Sequence, residues 1–304
     1  MAVERVLEDA RIAPWVVISP VRNEATLIRL TLDSMLNQTV LPQEWLIVDD
    51  GSTDETATIV AEYASAHPWI RLVKREDRGF RQLGSGVIAA FDFGREQLRT
   101  SDWQYISKLD GDISFPSTYA EIMIGVLERE PALACVSGKV FRPEGDGLVE
   151  ESILDEATAG QFKLYRREPF EQIGGFGQTI LWDGIDWHRA RMHGWDTRSF
   201  HHPDAPLFHH RLMGSSDRNV YKGRVRLGRG IWFMGYDPLY AVASGVFRMR
   251  ERPRVLGGLI IVGAYFWAAV RREPRLPDPE FRRYLRRWQR KRLMSMAVRP
   301  LRRR

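Results

Sequence analysis

WVVISPVRNEATLIRLTLDSML, Trp15 to Leu36, changes its hydrophobic period partway along. Its first five residues are a continuous apolar run of buried-strand type, closed by Pro20 and a polar turn. From Glu24 to Leu36 the apolar residues fall at helical spacing, on Leu27, Leu30, Leu32, Met35 and Leu36. The same change recurs further on. WLIVDD (45–50) is a second strand ending in acid, and STDETATIVAEYA (52–64) opens with Ser/Thr/Asp capping chemistry and continues as a helix. IRLVKR (70–75) predicts a third strand, residues 83–93 a third helix, and WQYISKLD (103–110) a fourth strand. Strand–helix alternation of this kind implies right-handed βαβ crossovers and an α/β, Rossmann-like, mainly parallel central sheet flanked by helices.

Ligands of such sheets sit outside the carboxyl ends of the strands. Here those ends carry Pro20, Arg22, Asn23 and Glu24, then Asp49 and Asp50, then Lys74 and Arg75, then Asp110-Gly111-Asp112. Four neighbouring ends loaded with carboxylates and guanidinium groups point to one shared site. Asp110 and Asp112, either side of a glycine, form a turn or hold a divalent cation; hard oxygen ligands suit Mg²⁺ or Mn²⁺.

Composition narrows the class. With 304 residues, 44% hydrophobic and 28% charged, the chain can bury a core. A single cysteine, Cys135, excludes a disulfide framework and a cysteine-rich zinc site, and fits a reducing compartment. The N-terminal residues hold no apolar stretch of signal-peptide length, which predicts a cytoplasmic start. Charge is uneven: residues 271–304 carry 14 Lys/Arg against 3 Asp/Glu, net +11, leaving −5 for the rest of a chain at +6. The basicity therefore belongs to the tail. That argues against nucleic acid as a partner of the body and toward an anionic membrane surface.

The second half is less regular. GQFKLYRREPFEQIGGF (160–176) reads as a strand, a helix and a Gly-Gly turn, and WDGIDWHRARMHGW (182–195) as a helix with acids in its first turn. Residues 201–230 read as irregular.

Taken in order and spacing, VVISPVRNEATLIRLTLDSMLNQTVLPQEWLIVDDGSTDETATIV, DRGFRQLGSGVIAAFDFG and YISKLDGDISFP resemble the successive blocks of family 2 glycosyltransferases, over roughly residues 14–200. The resemblance implies the GT-A fold and a nucleotide-diphosphate sugar donor, of UDP or GDP type. It implies that Pro20, Arg22 and Glu24 line the nucleotide pocket, that Asp50 meets the base, and that Asp49 shapes that pocket. Arg78, Gly79 and Arg81 fall where the family approaches the donor phosphates and sugar. Asp110 would serve both donor and metal, and Asp112 the metal, Mn²⁺ or Mg²⁺. His209 or His210 falls where some members supply a further metal ligand. Asp183 matches the family's catalytic base by counting back from Arg189 and Gly194, although Trp182 stands where the family has a preceding acid; Asp186 is the reserve. Arg211 and KGRVRLGRG (222–230) are either diphosphate contacts or a solvated basic loop.

The Gln-x-x-Arg-Trp signature of processive members is absent, which predicts single-sugar transfer. VLGGLIIVGAYFWAAV (255–270) is uncharged between Arg254 and Arg271, yet shorter than the roughly 20 residues of a span. It reads as a C-terminal helical membrane-associating segment, the rival being a core helix. The expected layout is a nucleotide-sugar-binding half (1–115), an acceptor-binding half (116–235), and an apolar helix with basic tail (236–304). The expected activity is inverting, metal-dependent transfer to a hydroxyl of a lipid-linked or polysaccharide acceptor, in cell-envelope or exopolysaccharide synthesis, peripheral on the inner face of the cell membrane. Transfer to a polyprenyl phosphate and an inactive glycan- or membrane-binding scaffold are the alternatives.

Overall fold

The computed structural model describes residues 13–76, 84–211, 220–251 and 253–298. They form two compact units, Met1–Arg211 and Leu212–Arg304. In the first unit the alternation predicted for the N-terminal part is observed: β1 (Trp15–Val21), α1 (Ile28–Leu36), β2 (Glu44–Asp49), α2 (Thr56–Ala66), β3 (Ile70–Lys74), α3 (Ser85–Glu96) and β4 (Tyr105–Leu109). A short β5 (Ile113–Ser114) and α4 (Tyr119–Arg129) follow, then β6 (Leu133–Gly138), β7 (Val140–Glu144) and β8 (Gly147–Glu150). β9 (Phe162–Arg166), α5 (Arg167–Gln172), α6 (Trp182–Met192), β10 (Asp196–Phe200) and β11 (Leu207–His209) complete the unit.

Seven strands make the main sheet, in the order β10-β6-β9-β4-β1-β2-β3. β1 pairs in parallel with β2 and β4, and β2 with β3; β9 runs antiparallel between β4 and β6. Both faces of the central strands are covered. Val17 and Ile47 face one apolar cluster, Val16, Ile18 and Val48 the other. That is why these strands read as unbroken apolar runs rather than alternating ones. α3 comes so close to the sheet that a Cβ on Gly94 would lie 2.7 Å from Val48 and 2.8 Å from Ile18.

α1 begins at Ile28, later than its apolar spacing alone suggests. Asn23 takes the left-handed conformation (φ 56°), and the Glu24 carbonyl accepts from the Leu27 and Ile28 amides. The chain leaving β1 is thus folded into a turn over the sheet end before the helix starts.

A second sheet, β5-β11-β7-β8, lies in the stretch read as poor in regular structure. It carries β11, hydrogen-bonded antiparallel to β5 through His209 and Ile113 and parallel to β7 through Leu207 and Val140. The segment leading into β11 crosses Gly138 so closely that a Cβ there would stand 2.1 Å from the Ala205 carbonyl oxygen.

The second unit holds α7 (Val220–Met234), α8 (Pro238–Phe247), α9 (Leu256–Val270) and α10 (Pro279–Val298). The expectation that residues 201–230 are irregular is therefore corrected twice, by β11 and by α7. The glycines that suggested a loop are contact points: a Cβ on Gly228 would lie 2.4 Å from the Ile261 carbonyl oxygen of α9, and one on Gly258 2.3 Å from the Gly245 carbonyl oxygen of α8. Helix propensity lost at each glycine, up to about 1 kcal/mol, is set against close backbone packing. The unit boundary at Arg211/Leu212 groups α7 with the later helices. No described helix is long and apolar enough to cross a membrane.

Gly138→Ala should destabilise the first unit by about 1–3 kcal/mol, because a backbone carbonyl cannot yield as a flexible side chain does. Urea unfolding measures this, and an unchanged midpoint would contradict it.

Candidate active site

The turn after β1 and the end of β2 are tied together by short polar contacts. The Asn23 amide donates to Ser52 Oγ (3.0 Å), the Thr53 amide to Asn23 Oδ1 (2.8 Å) and the Glu24 amide to Thr56 Oγ1 (2.8 Å). Asp49 is buried and accepts the Ser52 amide (2.8 Å), so it fixes the turn. Asp50 is buried beside it; its carboxylate accepts from Arg75 (2.8 Å) and its carbonyl from Arg22 (2.6 Å). Pro20 sits on β1 opposite Val48. These residues gather as expected. Arg78, Gly79 and Arg81 lie outside the described residues.

β4 delivers Asp110 and Asp112 next to this turn. Gly111 lies against it: a Cβ there would stand 3.0 Å from Ile28, 3.1 Å from Val21 and 3.4 Å from Glu24. A side chain between the two acids would crowd the side chains of Ile28, Val21 and Glu24. Lys108, buried within β4, reaches the Asp110 carboxylate and also donates to the Gly160 carbonyl (2.9 Å). Gly160 in turn abuts Asp183, whose Oδ2 would be 3.2 Å from a Cβ at that position. Asp183 is exposed in the first turn of α6, after Leu181 in the left-handed conformation (φ 60°). Such a backbone is costly for leucine, and here it starts the helix at the rim of the acid cluster.

β11 brings a third group. His209 Nε2 stands 3.6 Å from Asp112 Oδ2, and its Nδ1 is 3.0 Å from Glu151 Oε1. Glu151 is buried and takes a further bond from Gln161 (3.1 Å). His210 points to Ser114 Oγ instead (2.7 Å). Of the two histidines, His209 is thus the one beside Asp112. Arg211 forks onto the Glu24 carboxylate and lies 3.5 Å from Asp112, closing the ring of residues from β1 to β11.

The electrostatics follow from this crowding. Burial, with the like charge of Asp112, holds the Asp110 carboxyl above its ordinary range although the Lys108 ammonium opposes it. Burial would raise Asp112 too, but His209 and Arg211 outweigh it and hold the carboxylate low. Burial disfavours charge on His209, yet the carboxylates on its two nitrogens prevail and raise the ring to about 10. Among the described residues no three His, Cys, Asp or Glu side chains stand together as a formed metal cage. The donor set nevertheless suits a hard divalent ion: two carboxylates and one imidazole whose other nitrogen is fixed by Glu151. A cleft of about 500 Å³ beside β10, lined in part by Asp155, Arg191 and His201, involves none of these groups.

Asp186 has different surroundings. It is fully buried, with Lys163 Nζ at 2.5 Å and the Tyr165 hydroxyl at 3.0 Å on one oxygen. Burial raises its carboxyl and the Lys163 charge opposes that rise. Trp182 lies against two ammonium groups, Lys163 at 4.9 Å and Lys108 at 5.1 Å from its ring centroid.

Residues 16–179 match the model of glycosyl transferase family 2. The chain belongs to that family. Relatives in sequence include the chondroitin synthase of Escherichia coli, 32% identical over 53% of this chain but only 24% of its own length. The putative glycosyltransferase EpsH of Bacillus subtilis is 29% identical over 67% of this chain and 62% of its own. The chain thus spans about a quarter of that first relative. Among solved structures, the mannosyltransferase of Pyrobaculum calidifontis, determined with GDP-Man and Mn²⁺, superposes with a TM-score of 0.53 at 19% identity, covering 99% of this chain and 86% of that one. GalNAc-T7, determined with UDP, GalNAc and Mn²⁺, gives 0.56 at 15%, covering 78% and 51%. The fold is therefore that of the GT-A glycosyltransferases.

Within this family 2 domain, four contributors escaped sequence reasoning: Lys108, Glu151, Gly160 and Lys163. The two lysines did leave a signal, each standing inside an otherwise apolar strand, YISKL and FKLYR. Glu151 left none, being one acid of an adjacent pair at the end of β8.

Asp186→Asn should cost about 3–5 kcal/mol, since it strands a buried ammonium. Asp183→Asn, exposed at a helix start, should cost no more than about 1 kcal/mol. Denaturant melts of the two variants make the comparison, and equal losses would refute the assignment. For His209 the sign runs one way: a folded value near 10 against about 6.5 unfolded means stabilisation complete below about pH 6.5 and lost as the pH climbs toward 10. NMR titration of metal-free protein should find the ring still protonated at pH 8, with a lower midpoint in Glu151→Gln.

Proposed function

We propose that this enzyme transfers a single sugar, with inversion and with Mn²⁺ or Mg²⁺, from a UDP- or GDP-type donor to a hydroxyl of a lipid-linked or polysaccharide acceptor. The observation that carries this reading is the junction at Gly160, where the Lys108–Asp110 pair and Asp183 meet. A group that binds a diphosphate and a group that removes a proton are thereby neighbours, as direct displacement requires.

The nucleotide would lie across the β1 and β2 ends, with Arg22 and Asp49 shaping the pocket and Asp50 toward the base. Asp110, Asp112 and His209 would hold the metal, with Glu151 orienting His209. When bound, that ion neutralises charge on the diphosphate oxygens. Asp183 accepts the acceptor's hydroxyl proton; the oxygen attacks the anomeric carbon from the face opposite the diphosphate. The carbon–oxygen bond to the diphosphate then breaks, its electron pair leaving on the phosphate oxygen. Asp186, held by Lys163, supports α6 rather than the chemistry. Relatives named for chondroitin and for poly-β-1,6-N-acetyl-D-glucosamine synthesis favour an envelope or capsular glycan product, made by a protein attached to the inner face of the membrane.

Thermal denaturation with a panel of nucleoside diphosphates, with Mn²⁺ and with EDTA, tests the binding half. One nucleotide at 100 times its Kd should add about 2.7 kcal/mol, with metal only, and Asp112→Ala should abolish the gain. Asp183→Asn should keep that shift while transfer falls about 10²–10⁴-fold. Full activity in Asp183→Asn would mean an acceptor already ionised, such as a polyprenyl phosphate, and no shift with any nucleotide would leave only a scaffold.

A further inference from the structure

Every exposed residue of α9 is apolar or glycine. They are Leu256, Leu259, Gly263, Phe266, Trp267 and Val270, and at 100° per residue they fall within an arc of about 100°. The stripe is not marginal: Leu259 is 53% exposed, Trp267 60% and Val270 77%. α8, packed on α9 where Gly245 meets Gly258, has the same character, with Leu239, Val242 and Val246 exposed along one side. Arginines stand at the stripe's ends. Arg254 precedes α9 and Arg271 and Arg272 follow it, all exposed. Arg271 stacks over Trp267 (5.4 Å), and Arg250 over Phe247 at the end of α8 (4.7 Å).

We infer that the exposed sides of α8 and α9 form a face that seats in the surface of an anionic phospholipid bilayer, with its arginines on the lipid phosphates. This deepens the membrane attachment proposed above and rests on it, while using no residue of the transfer site. Apolar stripe, aromatic residues and basic ends together match the interfacial zone, where rings sit at headgroup level and guanidinium groups reach phosphate. Spanning is excluded by length and packing. Fifteen residues reach about 22 Å against roughly 30 Å of hydrocarbon, and the opposite side of α9 is buried through Ile261, Tyr265 and Ala268. A second copy of the chain is disfavoured by charge, because pairing two such faces brings like-charged arginine rims together. α10 of the same unit adds an exposed cationic row, Arg283, Arg287 and Lys291, at one-turn spacing.

Vesicle sedimentation of the full chain tests this, comparing phosphatidylglycerol with phosphatidylcholine vesicles. We expect binding to the anionic vesicles only, weakened by salt, at about fivefold per arginine engaged. The combined variant Leu259→Ser, Phe266→Ser, Trp267→Ser should bind at least about tenfold less, as should Arg271→Glu with Arg272→Glu. Both should keep the wild-type melting temperature and the metal-dependent nucleotide shift. Equal binding to both vesicle types, or undiminished binding by the serine variant, overturns the proposal. So does a lipid-free dimer by light scattering that the serine variant dissolves. Vesicle binding lost in both variants supports it even where no nucleotide shift is seen, in which case the transfer chemistry alone fails.

Discussion

The constraint on which this fold turns is the gathering of acids at one end of a parallel sheet. Glu24, Asp49, Asp50, Asp110 and Asp112 all come from the ends of β1, β2 and β4 or the turns just after them; Asp110 is half-buried and the others are buried. Two like charges 4 Å apart at an effective dielectric near 20 repel by about 4 kcal/mol. A domain stable by 5–15 kcal/mol in all cannot hold several such pairs without nearby positive charge. The protein supplies it from within: Arg75 for Asp50, Lys108 for Asp110, and Arg211 for Glu24 and Asp112. Arg75 and Arg211 reach their acids from other strand ends, so for these pairs charge balance and the alignment of strand ends are one arrangement.

The same demand explains β11. A histidine next to Asp112 and backed by Glu151 has a carboxylate on each ring nitrogen, and these favour its charged form. The second sheet carries it on β11, and Gly138 lets the approach to β11 pass at van der Waals distance from β6. Packing far from the acids thereby sets the position of a group that touches them.

How much of this could be read from residues alone follows from where the physics is local. β1 to β4 and the helices between them were legible because a strand buried on both faces is an apolar run, and a helix flanking it repeats at 3.6. The acid turns were legible because they close those same runs. Asp183 was picked out by its place in the family's order, and it lies against Gly160. What stayed hidden depends on contacts remote in sequence. Nothing near Glu151 announces that His209, 58 residues later, will lean on it. α7 was taken for a loop because glycine and arginine dominate it; its glycines mark where another helix passes, which only the folded unit reveals.

Trp182 is the point where family expectation and this chain part, and the geometry gives a reason for the exchange. Had an acid stood there, it would have faced Lys108 and Lys163 and drawn both away from Asp110 and Asp186. An indole instead offers them a π face, worth at most about 2 kcal/mol each when desolvated, while a carboxylate would compete at the strength of a buried ion pair. The lysines therefore remain committed, Lys163 to Asp186 beneath α6 and Lys108 to Asp110 at the end of β4. Asp183 is left as the acid of α6 that faces solvent, while Asp186 lies buried against Lys163.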